Sequence, residues 1–285
     1  MTKFALGKRP TALVNAILAV VAICVVIVAL TDAGQTLLVA KRSSPDPQSD
    51  LTKPLRLEAI QSNGLEELAF ALRAFHYQTK PQGVEVYSDV FYDTDDWRLY
   101  RSGYSYRYRQ AKNQSGEASY GVRLEQESRF VPIGSEKTDL RESLPASVGT
   151  AIAQGSWEIA VSDENGVETT RRFLAVLQEL GIAPQEIRPR LAAELRRERF
   201  DITDKGQNWF ELDHEIWTFS PFEDTDRRVR IQDFVIDTRL KRSDPEIFRR
   251  VVTMNKLSQM IDGVRAAKRA PHERAIERFG FGTEN

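Results

Sequence analysis

Residues 84–109 read VEVYSDVFYDTDDWRLYRSGYSYRYR, and in the second half Tyr104, Tyr106 and Tyr108 alternate with Ser105, Arg107 and Arg109. Side chains on a strand alternate faces, so this pattern sets two guanidiniums side by side on one face and a tyrosine row on the other. With a turn at Asp93-Thr94-Asp95-Asp96 and a breaker at Ser102-Gly103, the stretch reads as a β-hairpin. Two adjacent guanidiniums repel. Solvent offsets them on an outward face; in a cavity a bound polyanion does so, because planar five-donor forks suit phosphate oxygens.

The same rhythm recurs along the chain. Residues 55–60 carry Arg56 and Glu58 on one strand face, and 119–130 carry Arg123, Glu125 and Glu127. Lys137 and Arg141 follow in a charged strand or turn. After Arg188-Pro-Arg190, the extended run LAAELRRERFDI places Arg197 and Arg199 in register. Residues 208–219 put Glu211, Asp213 and Glu215 on one face against Phe210, Leu212 and Ile216, and 231–241 put Asp237, Arg239 and Lys241 together. Helical spacing is confined to 65–76, to 170–180 (ended by Gly181 and Pro184) and to roughly 245–267. The basic tail 268–285 reads as mobile. This is an α+β chain dominated by antiparallel strands. As a sandwich it turns its charged faces outward; as a barrel it turns them inward, making a polar tunnel that calls for phosphates on its basic wall and a divalent metal on its acidic positions.

The N-terminus adds a separate element. After a basic tail, 1–11, the run ALVNAILAVVAICVVIVAL is apolar except for Asn15, and at about 1.5 Å per residue it nearly spans a hydrocarbon core of about 30 Å. Residues 12–31 are expected to anchor the chain in a membrane, with the N-terminus inside and the domain on the outer or periplasmic side; a cleaved signal peptide is the competing reading. Residues 32–54, with two prolines and several serines, read as a linker.

Several chemistries drop out. The net charge of −1, with arginines and carboxylates interleaved, argues against nucleic acid. The single Cys24 lies in the apolar run, and His76, His214 and His272 have no partner at zinc-ligand spacing. No P-loop and no Gly-x-Ser-x-Gly elbow is present. His214 adjoins Asp213, yet neighbours on a strand point to opposite faces, so His214 belongs with the core or solvent rather than with the acidic row.

Phe91-Tyr92-Asp93-Thr94, then Leu99-Tyr100 and Tyr106-Arg107-Tyr108-Arg109, resembles the aromatic-Asp-Thr turn and Arg-x-Arg strand of the CYTH superfamily, the triphosphate tunnel enzymes, and within it the polyphosphate-polymerase (VTC-like) branch. Lys137 with Arg141, Arg197 with Arg199, the strand Val235-Ile236-Asp237-Thr238-Arg239, and Met254-Asn255-Lys256-Leu257 resemble later elements of that family in order. The resemblance implies an antiparallel tunnel domain over 55–267. It implies a phosphate-binding set of Arg107, Arg109, Arg123, Lys137, Arg141, Arg197, Arg199, Arg239 and Lys256, with catalytic roles for Asp237 and Lys256. It further implies Mg²⁺ or Mn²⁺ on Asp237, Glu211 and Asp213, and polyphosphate or a nucleoside triphosphate as the molecule bound. Three departures touch the chemistry: Ile60 stands where the family has Lys, Asp237 where it has Glu, and Asn208-Trp209 where an Arg is common. The resulting expectation is a membrane-anchored protein that transfers or hydrolyses phosphoanhydrides. The alternatives are a tunnel that only binds a polyanion and a structural β-rich domain with solvated charges.

Overall fold

In the computed structural model the described residues are 54–61, 63–112, 118–126, 138–157, 167–237, 250, 252–253, 256 and 259–281. The chain divides after Asp50, and all of these residues belong to the second unit, Leu51–Asn285. The expected anchor, the linker up to residue 53, Lys137 and Arg239 lie outside the described residues. Among the described residues no helix is long and apolar enough to cross a membrane.

Among the described residues nine strands form one antiparallel sheet: β1 (Leu55–Ala59), β2 (Gln78–Asp93), β3 (Tyr104–Lys112), β4 (Ala118–Gln126), β5 (Asp139–Leu144), β6 (Arg188–Asp204), β7 (Gln207–Pro221), β8 (Val229–Asp237) and β9 (Val264–Ala266). Their spatial order is β5-β4-β3-β2-β6-β7-β8-β1-β9. The long β6–β7 hairpin is set by its turn. Lys205 and Gly206 both have positive φ (49° and 79°), the two-residue geometry whose twist matches flanking strands.

The period-2 pattern decides which face is which. On the outer face Tyr106, Tyr108, Val122 and Leu124 pack under helices α3 (Ala146–Ala153) and α4 (Glu168–Glu179), through Val148, Ile152, Phe173 and Leu177. Tyr106 stacks on Phe173 with centroids 3.9 Å apart, and its hydroxyl meets that of Thr170 at 3.0 Å. A second outer cluster joins Leu57, Phe210, Leu212, Phe234 and Ile236 to Leu68 and Leu72 of helix α1 (Gly64–Ala74). The inner face is divided. One end is apolar, with Phe91, Leu191, Leu195, Trp217, Phe219 and Ile231, and the other carries the charges.

Two sequence expectations are corrected. The tail from 268 is not mobile throughout: helix α5 (Pro271–Arg278) and Phe279 lie on the apolar end of the inner face, with Ala275, Ile276 and Phe279 buried. Pro271 starts the helix with its fixed φ, and Glu273 accepts a hydrogen bond from the Ala270 N–H at 2.6 Å. Likewise, the expected C-terminal helix does not extend to 267, because Val264–Ala266 is strand β9, paired with β1. The barrel takes the form of a curved sheet with edge strands β5 and β9; no ladder joins those two edges among the described residues. The curvature is nonetheless enough to bring side chains of β1, β3, β4 and β5 to one cavity.

Candidate anion-binding site

The hairpin that carries Arg107 and Arg109 is held in place by Asp93. Its carboxylate accepts hydrogen bonds from the backbone N–H groups of Thr94 (2.7 Å), Leu99 (2.9 Å) and Tyr100 (2.9 Å), capping the single-turn helix α2 (Arg98–Arg101). Burial pushes the Asp93 carboxyl up to about 6, although these donors oppose the shift. The aromatic-Asp-Thr turn is therefore a structural clasp.

From that clasp the inner face of β3 aims its arginines across to β2. Arg109 makes a two-pronged pair with Asp89 (2.6 and 2.7 Å), and Arg107 reaches the same carboxylate at 3.0 Å. Asp89 is fully buried. The Arg109 guanidinium also lies over the Tyr87 ring, 4.4 Å from its centroid. On β4 and β5, Arg123 and Arg141 share Asp139 (2.8 and 3.1 Å), and Arg123 also meets Glu125 at 3.0 Å. On β1, Arg56 bridges Glu215 (2.7 Å) and Asp233 (2.8 Å). Arg274 of α5 reaches Asp233 at 2.6 Å and Glu58 at 2.8 Å. Each of these arginines thus has a carboxylate partner.

Four of these guanidiniums, from Arg56, Arg107, Arg123 and Arg141, line a cavity of about 200 Å³ together with Glu125, Ser105, Phe91, Trp217, Ala270, Pro271 and His272. Their partners Asp89, Asp139, Glu215 and Asp233 do not line it, so four cations and one carboxylate face the space. Burial pulls the Arg107 guanidinium down to about 10, against the attraction of Asp89, so it stays charged at neutral pH. For Arg56 burial also opposes the charge, but Glu215 and Asp233 outweigh it and the pKa rises. Arg56 and Arg197 likewise overcome burial at Glu215 and hold it at about 2.

The residues expected from sequence fall into two groups. Arg107, Arg123 and Arg141 meet at the cavity, with Arg109 directly behind on Asp89. Arg197 and Arg199 lie further along the inner face: Arg197 pairs with Glu215 at 3.0 Å, and Arg199 with Glu211 and Asp213 at 3.1 Å each. Asp237 faces Glu211 across β7 and β8. Lys256 is solvent-exposed and does not line the cavity. His214 is on the outer face, as its position next to Asp213 requires, stacked on Phe234 with its Nδ1 3.1 Å from Glu198.

Two of the expected Mg²⁺ or Mn²⁺ ligands, Glu211 and Asp213, are paired with arginine. Glu211 and Asp213 share Arg199, and the buried Glu58, Asp233 and Glu215 are bridged by Arg274 and Arg56. Among the described residues no three His, Cys, Asp or Glu side chains are grouped to hold a metal ion.

Sequence reasoning did not assign Asp89, Asp233, Arg274 or His272 to this site. His272 is 7% exposed and stacks on Phe91 with centroids 5.0 Å apart, and its Nε2 has no hydrogen-bond partner among the described residues. Burial lowers its pKa to about 4; Arg107 and Arg123 add to the shift, while Glu273 and Glu125 oppose it. A neutral, buried histidine makes stability pH-dependent. Between pH 6.5 and 4 the unfolded chain takes up a proton that the folded chain refuses, so folding weakens as pH falls. Asp93 has the opposite slope between its ordinary 3.8 and about 6, but that contribution is common to wild type and a His272→Phe variant. Chemical denaturation at pH 7 and pH 4 should show wild type losing about 3 kcal/mol relative to His272→Phe. Parallel pH profiles would contradict this assignment.

No family model matches the chain, and no curated protein matches it. Solved structures do. HpAC1 from Hippeastrum, described as an adenylyl cyclase candidate with a dominant triphosphatase activity, is 14% identical with a TM-score of 0.51, covering 80% of this chain and 95% of that one. An adenylate cyclase candidate from Bacillus halodurans is 11% identical with a TM-score of 0.45, covering 80% and 97%. The likeness to HpAC1 shows a shared fold, an antiparallel α+β architecture.

Proposed function

We propose that this protein binds the phosphate chain of a triphosphate or polyphosphate in the arginine-lined cavity. The observation that carries the reading is the asymmetry of the wall: Arg56, Arg107, Arg123 and Arg141 line the cavity while most of their carboxylate partners do not. A partly desolvated set of planar donors, already oriented by carboxylates, needs little reorganisation to accept phosphoryl oxygens. The cavity is smaller than the roughly 300–1,000 Å³ of clefts that enclose drug-sized ligands, which favours a short inorganic phosphate chain over a whole nucleotide. Because HpAC1 is described as having a dominant triphosphatase activity, phosphate release from tripolyphosphate is the turnover to assay. Positioning and charge stabilisation by these arginines are the contributions that this chain's own residues would make to it. We further infer that residues 12–31 tether the domain to a membrane, with polyphosphate reached from the outer side.

The test uses Arg123 and Arg141, because their shared partner Asp139 is about one-third exposed and tolerates losing them. Arg123→Ala with Arg141→Ala is expected to weaken tripolyphosphate binding by at least 30-fold in a calorimetric titration, with a fold intact by circular dichroism. Unchanged affinity in that variant would remove the cavity from the binding reaction.

A further inference from the structure

We propose that His272, carried into the cavity by α5, binds the phosphate anion directly through Nε2 and takes up a proton from solvent as it does so. The inference rests on the anion-site reading above and adds a ligand that the arginine pattern did not contain. Three observations converge. The imidazole lines the same cavity as Arg107 and Arg123, its plane is fixed by stacking on Phe91 at 23°, and its buried Nε2 has no partner among the described residues. A buried polar atom without a partner is uncommon and costly, and one on a side chain that lines a cationic cavity can be satisfied by what enters it.

The charges around the ring determine what that ligand must be. Arg107 on β3, Arg123 on β4, and Arg56 and Arg141, which line the same cavity, disfavour a further positive charge; Glu125 on β4 and Glu273 on α5 favour one. In the empty cavity the arginines and burial prevail, and the ring is neutral. An anion of two or more charges set between these guanidiniums reverses the balance, because it offsets the arginine field at close range. The ring then accepts a proton, and both of its nitrogens become donors. A monoanion or a neutral ligand would supply less of that reversal, so the device discriminates in favour of multiply charged phosphates.

The experiment is isothermal titration of inorganic tripolyphosphate into the full chain at pH 7, in buffers of different ionisation enthalpy, for wild type, His272→Gln and His272→Phe. The buffer dependence of the heat counts protons exchanged. Exchange by the ligand itself is common to all three proteins, so the difference between wild type and variant reads out His272. Wild type is expected to take up close to one proton more than either variant. His272→Gln, which retains a donor but cannot titrate, should bind within about threefold of wild type, whereas His272→Phe should bind about tenfold more weakly, a loss of roughly 1.4 kcal/mol. Should His272→Phe fail to fold, the proton count in His272→Gln still decides. Equal proton uptake in wild type and His272→Gln overturns the inference while leaving the anion site standing. An absence of binding in wild type overturns both, so the two failures are distinguishable.

Discussion

Replacing Arg107 and Arg109 together by Ala is expected to lower stability by about 3–5 kcal/mol and to abolish tripolyphosphate binding. Adding Asp89→Ala should restore most of the stability and none of the binding. The reason is the position of Asp89, which is fully buried on β2 with its carboxylate held by Arg109 at 2.6 and 2.7 Å and by Arg107 at 3.0 Å. Taking both cations away leaves an unpaired carboxylate in the interior. The melting temperature should fall by about 6–20 °C, given about 2–4 °C per kcal/mol for a domain of this size. Removing the carboxylate as well eliminates the uncompensated charge. If the arginines served only to hold the sheet, binding would return with stability in the triple variant; on the present account it stays lost.

The second large effect is at the clasp. Asp93→Ala is expected to destabilise the fold by about 4 kcal/mol, among the largest values single substitutions produce. Three backbone N–H groups, of Thr94, Leu99 and Tyr100, lose a buried acceptor at once, and α2 loses its cap. Asp93→Asn should be intermediate. The amide oxygen can still accept from two donors on one side, while its NH₂ group would confront the third N–H. Equilibrium denaturation of the two variants tests this ordering, and near-equal losses would contradict it. Because the clasp orients the Arg107–Arg109 hairpin from a distance, the Asn variant should bind tripolyphosphate more weakly while leaving every cavity side chain present.

Much of the face assignment was legible in the sequence. The alternation of Tyr106 and Tyr108 with Arg107 and Arg109 sent the tyrosines to the outer core and the arginines inward, and the same rule took His214 away from Asp213. What the sequence did not disclose was pairing across strands. Asp89 meets Arg109 because the β2–β3 register sets them opposite one another, and Asp233 meets Arg56 only after β1 has joined β8. Those contacts depend on strand order, which no local pattern encodes. The carboxylates that pair with these arginines come from other strands, so the local pattern did not show them either.

Helix α5 was missed on different grounds. Its apolar residues, Ala275, Ile276 and Phe279, are sparse within a basic segment, and only the preformed apolar end of the inner face gives them something to cover. With the helix come Arg274 and His272, so the part of the chain that looked least structured supplies one wall of the cavity. Arg274 pairs there with the buried Glu58 and Asp233.

The most direct test of the central claim is a calorimetric titration of tripolyphosphate into the full-length wild type and the stability-restored Arg107→Ala/Arg109→Ala/Asp89→Ala variant, at low and high salt. The account requires saturable binding to wild type that weakens with salt, and none to the triple variant. Equal binding to both, or no heat with wild type at either salt concentration, would contradict the assignment of this cavity to a phosphate anion.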